Sequence, residues 1–93
     1  MLASYAQHLD LDCGISHARI AAWLDDELAL PRSDGGWAFF AGDRSCHVEV
    51  TPLESRVFSN IALERARLTA SGDADALAAF EKLFTLRFIS AGG

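Results

Sequence analysis

In the stretch SCHVEVT, residues 45–51, the side chains alternate without a break: Cys46, Val48 and Val50 fall on one side, and His47, Glu49 and Thr51 on the other. A period of two belongs to an extended strand with one apolar and one wetted face. Just before it, WAFFA is short, aromatic and rich in strand formers, and GDR between the two runs has the composition of a turn. The pair predicts a β-hairpin, with Pro52 closing its second strand because proline cannot donate to a ladder. Every other segment has to be arranged around that hairpin.

On either side the period changes to that of a helix. In ISHARIAAWLDDELALP, Ile20, Leu24 and Leu28 recur every four residues with Trp23 beside them, and Asp25, Asp26 and Glu27 fall mostly opposite. Ser16 is the expected N-cap, and Pro31 the expected stop. Three acids near a helix C-terminus oppose the helix dipole, which predicts a basic neighbour from elsewhere in the fold. Residues 53–60, LESRVFSN, are ambiguous between a loop and an irregular strand. From Ile61 to Ala70 alternation returns, with Ala66, Leu68 and Ala70 against Arg65, Arg67 and Thr69, and predicts a third strand. SGD ends it, and Asp73 caps a last helix, ADALAAFEKLFTLRF, striped by Leu77, Phe80, Leu83, Phe84 and Phe88. In the first ten residues Leu2, Tyr5, Ala6 and Leu9 stand at helical spacing, and SAGG at 90–93 is expected to be a loose tail.

The predicted fold is therefore one α+β domain spanning 1–93. Its order is α-β-β-β-α, with a possible extra short helix in front, and a three-stranded antiparallel sheet carries both helices on one face. Ninety-three residues suffice for one domain and not for two.

Composition narrows the function. The chain is 51% hydrophobic and 23% charged, as ordinary globular proteins are. It has no run of about 18 apolar residues, and MLASYAQHLDLD lacks the basic-then-apolar pattern of a secretory leader. These features point to the cytoplasm. Cys13 and Cys46 agree, since small secreted chains tend to carry four or more cysteines. One bridge between them is compatible with the sequence; two buried thiols are the expectation. The net charge is −5, and residues 1–30 set five acids against Arg19 alone. That balance repels phosphates and argues against a nucleic-acid partner.

A three-stranded sheet clad on one side leaves its other side open. His47, Glu49, Thr51, Arg65, Arg67 and Thr69 are expected there as a charged lattice. In the first strand Trp37 and Phe39 point one way and Phe40 the other, so a large aromatic lies off the core side. Trp37, Phe39, Phe40, Arg65 and Arg67 are thus the candidate partner-binding residues, for a protein partner or a second copy of the chain.

Catalytic patterns are missing from the sequence: it has no GxSxG, no HExxH and no glycine-rich phosphate loop. Cys46 and His47 are neighbours on a strand, so they point to opposite faces and cannot form a nucleophile–base pair. Cys13 and His17 share a helical face if the first helix begins before Cys13, which is half a metal site at most; the paired CxxC knuckles of a structural zinc site are lacking. A non-enzymatic module is expected, with no cofactor, no metal and no membrane association.

Two resemblances widen the choice. The terminal AGG resembles the ends of ubiquitin-like sulfur carriers and similar modifiers, whose last carboxylate is adenylated and then thiolated or conjugated. That likeness, confined to the last few residues, implies an activated tail with Gly93 reacting and Gly92 as its slim neighbour. The order helix, three strands, helix, with the acidic LDDELALP before the first strand, is similar to the opening half of type III secretion chaperones. It implies an acidic dimer that binds extended effector segments.

Overall fold

In a computed structural model, which describes residues 7–89, the hairpin is the centre of a larger sheet than the sequence predicts. Among the described residues the elements are β1 (Gln7–Cys13), α1 (His17–Ala22), β2 (Arg32–Ser33), β3 (Gly36–Ala41), β4 (Arg44–Phe58), β5 (Ile61–Gly72) and α2 (Ala74–Phe84). Each helix runs on into a wider π turn, Trp23–Glu27 after α1 and Thr85–Ile89 after α2. The five strands form one antiparallel sheet in the order β1-β5-β4-β3-β2. The fold is α+β, but the sheet has five strands, not three.

The added strands are β1 and the two-residue β2, which pairs with Gly36 and Trp37 of β3, and two expectations are corrected. Gln7–Cys13 is a strand where the spacing of Leu9 suggested a helix; Leu2, Tyr5 and Ala6 lie outside the described residues. The segment QHLDLDC also alternates, and Leu9 and Leu11 pair with Ala70 and Leu68 along the edge of β5 that would otherwise be bare. The second correction is at Pro52, which does not end β4. The strand runs on to Phe58, with Pro52 opposite Ala66. Beside β4, β3 reaches only as far as Val48, so at residue 52 β4 is an edge strand, where proline is tolerated. The ambiguous stretch 53–60 is therefore strand and turn, with a one-residue bulge between Leu53 and Arg56. Since β1 precedes α1, the likeness in element order to secretion chaperones does not hold.

The remaining local readings follow their chemistry. Ser16 accepts the Arg19 N–H at the start of α1, and Asp73 accepts those of Asp75 and Ala76 at the start of α2. Asp34 and Gly35 both have positive φ, giving the tight turn between β2 and β3, and Gly42 alone does so between β3 and β4. The helices lie on one face, where Trp23, Phe39, Phe80, Phe84 and Phe88 form a chain of ring contacts with centroids 5.1–5.9 Å apart. Ile20, Leu24, Val48 and Leu68 complete a dry centre, each fully buried. The basic neighbours predicted for the acidic helix end are Arg32, bound to Asp25, and Arg87, bound to Glu27 through two contacts of 3.1 Å.

Candidate functional site

No described residue covers the far side of the sheet in the way the helices cover the near side. Across it the alternation of each strand sets out rows of polar side chains. His8, Asp10 and Asp12 come from β1, Arg65, Arg67, Thr69 and Ser71 from β5, and His47, Glu49 and Thr51 from β4. The two arginines are not free cations. Arg67 lies 3.4 Å from Asp10 and 3.3 Å from Asp12, and Arg65 lies 3.7 Å from Asp12. The acids belong to β1, so this neutralisation follows from the strand that helical spacing concealed.

Within the lattice His47 Nε2 meets Glu49 Oε2 at 2.9 Å. The pair rests on Gly36, where a Cβ would lie 2.9 Å from Glu49 Cγ and 3.1 Å from His47 Nε2 and would also strike the Val48 carbonyl oxygen. Glycine at that position lets β3 approach closely enough to form the floor. Ser45, Ser71 and Asp34 line a shallow polar hollow around the pair. The hollow is open to solvent and lacks the enclosing apolar walls of a small-molecule site.

Three of the seven exposed large apolar side chains among the described residues are grouped elsewhere. β1 pairs with β5 only from Ala66 to Gly72, and β3 pairs with β4 only from Arg44 to Val48. Residues 53–65 therefore leave the body as a bare two-stranded arm, closed by Ser59 and Asn60, both with positive φ. Its length shows in the shape: the principal extents are 52, 30 and 27 Å. The radius of gyration is 14.2 Å, against about 12 Å for a compact chain of this size. The arm exposes Val57 (71%), Ile61 (62%) and Leu63 (46%). An isolated two-stranded ribbon is marginal in water, and this one has apolar side chains bare as well.

The residues singled out by sequence are thus dispersed. Trp37 and Phe39 are core residues, 3% and 6% exposed, beneath the helices. Phe40 stands on the open side at 59%. Arg65 marks the root of the arm, and Arg67 sits in the lattice. Gly92 and Gly93 lie outside the described residues. Cys13 closes β1 and His17 opens α1, so they share no helical face. Among the described residues no three His, Cys, Asp or Glu side chains are grouped as metal ligands would be. Cys46 is buried opposite His47, and both cysteines are free.

Sequence reasoning missed Val57, Ile61 and Leu63. A signal was present in the apolar residues of LESRVFSNIAL, but Pro52 and the bulge broke the period before it reached them. Comparison with protein-family models, curated proteins and solved structures finds no match to the chain.

Proposed function

We propose that the protein is a small non-enzymatic protein-interaction module that associates with copies of itself, working in the cytoplasm. The observation that carries this reading is the arm, residues 53–65 folded back as a two-stranded ribbon that pairs with no third strand and exposes Val57, Ile61 and Leu63. Such a ribbon gains its packing from whatever it docks against. The open face supports the same reading. Its charges are compensated in place and Phe40 stands on its margin, as a polar surface with an aromatic anchor does in many interfaces. Nucleic acid is disfavoured as a partner because the arginines are engaged and the net charge is −5. No helix among the described residues is long and apolar enough to cross a membrane.

Light scattering at micromolar concentration tests the reading. The expected result is a mass above one chain for the wild type and of one chain for a Val57→Glu/Ile61→Glu double variant with an unchanged circular dichroism spectrum. A wild type that stays a single chain at every concentration refutes self-association.

A further inference from the structure

The two outer edges of the arm differ. Along β4 the edge carries Pro52 at its root and the bulge between Leu53 and Arg56, both of which hinder the pairing of a further strand. Along β5 the edge from Ile61 to Arg65 has neither. β1 stops at Cys13, opposite Ala66, so no described strand covers that edge. The remaining sheet edges are better protected. β1 bears Asp10 and Asp12, which disfavour a second acidic chain, and β2 with the Pro31 carbonyl covers Gly36–Ala38 of β3.

The turn decides which backbone groups the bare edge offers. Ser59 and Asn60 both have positive φ, as a two-residue type I′ loop requires, so Phe58 and Ile61 form the hydrogen-bonded pair that closes it. Hydrogen-bonded and open pairs alternate along an antiparallel ladder. The N–H and C=O of Ala62 and Glu64 therefore turn outward, away from β4, as a template for another strand.

Resting on the self-association proposed above, we infer that this β5 edge pairs antiparallel with the same edge of a second copy, about a two-fold axis at Ala62. A two-fold pairing keeps the open faces of both copies on one side, so its axis falls on a residue. An axis at Leu63 would set Asn60 of one copy opposite Ala66 of the other, a place that Cys13 already occupies. An axis at Ile61 would leave Leu63 opposite the turn residue Ser59. With the axis at Ala62, the two Ala62 residues exchange their outward hydrogen bonds, and each Ile61 lies opposite the partner's Leu63. These apolar side chains are 62% and 46% exposed in the single chain, and they meet on one face. Glu64 and Arg65 face only Asn60 and Ser59, so no like charges are opposed. Residues 53–65 hold Glu54 and Glu64 against Arg56 and Arg65, so two neutral arms meet while the acidic bodies stay at the far ends. The marginal two-stranded ribbon becomes part of four strands.

Cysteine cross-linking reads this register. Cys13 and Cys46 are buried, so a thiol added to the arm reports by itself. Opposed residues lie within reach of a disulfide; two copies of Leu63 would stand diagonally, about 7–8 Å apart, and so would two of Ile61. Under mild oxidation Ala62→Cys chains are expected to link several-fold more than Ile61→Cys or Leu63→Cys chains alone. A mixture of differently tagged Ile61→Cys and Leu63→Cys chains is expected to give mixed dimers in similar excess. Ala62→Pro removes an outward N–H and leaves the β4–β5 ladder whole. It is expected to be monomeric by light scattering, where the wild type is dimeric, with an unchanged circular dichroism spectrum. A dimeric wild type overturns the edge pairing, and leaves self-association standing, if Leu63→Cys self-links as well as Ala62→Cys, if no variant links, or if Ala62→Pro still dimerises. A monomeric wild type removes both.

Discussion

The carboxylate of Asp25 accepts the indole Nε1–H of Trp37 at 2.8 Å while holding Arg32 through contacts of 3.0 and 2.8 Å. Arg32 in turn stacks on the Trp37 ring, 4.3 Å from its centroid, and is its partner across the β2–β3 ladder. One acid at an unfavourable helix end thus ties α1 to the sheet. It also satisfies the polar atom of a tryptophan that the core buries.

Replacing Asp25 separates these roles. Asp25→Asn retains an acceptor for the indole and loses the charge facing Arg32; Asp25→Ala loses both. Thermal unfolding is expected to show a larger drop in Tm for the alanine variant. Equal losses would mean that the indole hydrogen bond contributes nothing.

Acid should loosen the fold through the same group and two others. Hydrogen bonds from Arg32 and then Trp37 hold Asp25 below the usual carboxylate range, Arg87 does so for Glu27, and Arg44 for Asp73. A carboxyl with a lowered native pKa adds stability at pH values above the unfolded pKa and loses it as pH falls through the native one. Denaturant midpoints are therefore expected to be level near neutrality and to fall below about pH 4. The Asp25→Asn/Glu27→Gln/Asp73→Asn variant should show a shallower fall over that window.

Ala29 has φ 52°, a left-handed residue just past the π turn that follows α1, where Leu30 N–H bonds back to the Leu24 carbonyl at 2.9 Å. Glycine is usual at such a stop because a Cβ costs roughly 1–2 kcal/mol in that conformation. Against it stands the larger chain entropy that glycine loses on folding, about 0.5–1 kcal/mol. Ala29→Gly is expected to raise stability by up to about 1 kcal/mol, read from urea unfolding. A clear loss would show that the Ala29 methyl contributes packing.

The thiols should be silent in the folded protein. Burial, followed by the nearby charge of Asp73, pushes Cys46 up to about 11; burial and then Asp12 raise Cys13. A disulfide between them is excluded by register: Cys46 sits opposite Gly72 and Cys13 opposite Ala66. That separation is about 20 Å along β5, against the roughly 7 Å that a bridge spans. Thiol titration at pH 8 is expected to count none in native protein and both after denaturation. Rapid labelling of the native chain would show that one of the buried sites opens readily.

Local periodicity reached its proper limit in this chain. SCHVEVT, the Ile20–Leu24–Leu28 stripe, and the caps at Ser16 and Asp73 are contacts between near neighbours, so their spacing was enough to identify them. The same alternation placed His47, Glu49, Arg65 and Arg67 together on the unclad side. QHLDLDC carried two periods at once, and only the vacant edge of β5 decides between them. Pro52 is a stop in the interior of a sheet and harmless on an edge, and whether β4 is an edge there depends on how far β3 extends.

The sequence by itself determined the α+β class, the hairpin at the centre and the single clad face, because each rests on side-chain spacing along a few residues. Tertiary structure decided the fifth strand's place, the pairing that neutralises Arg65 and Arg67, and the reach of the arm with its bare Val57, Ile61 and Leu63. Those depend on which strands lie side by side and where each neighbour ends, and backbone hydrogen bonding between strands leaves no local period by which to read them.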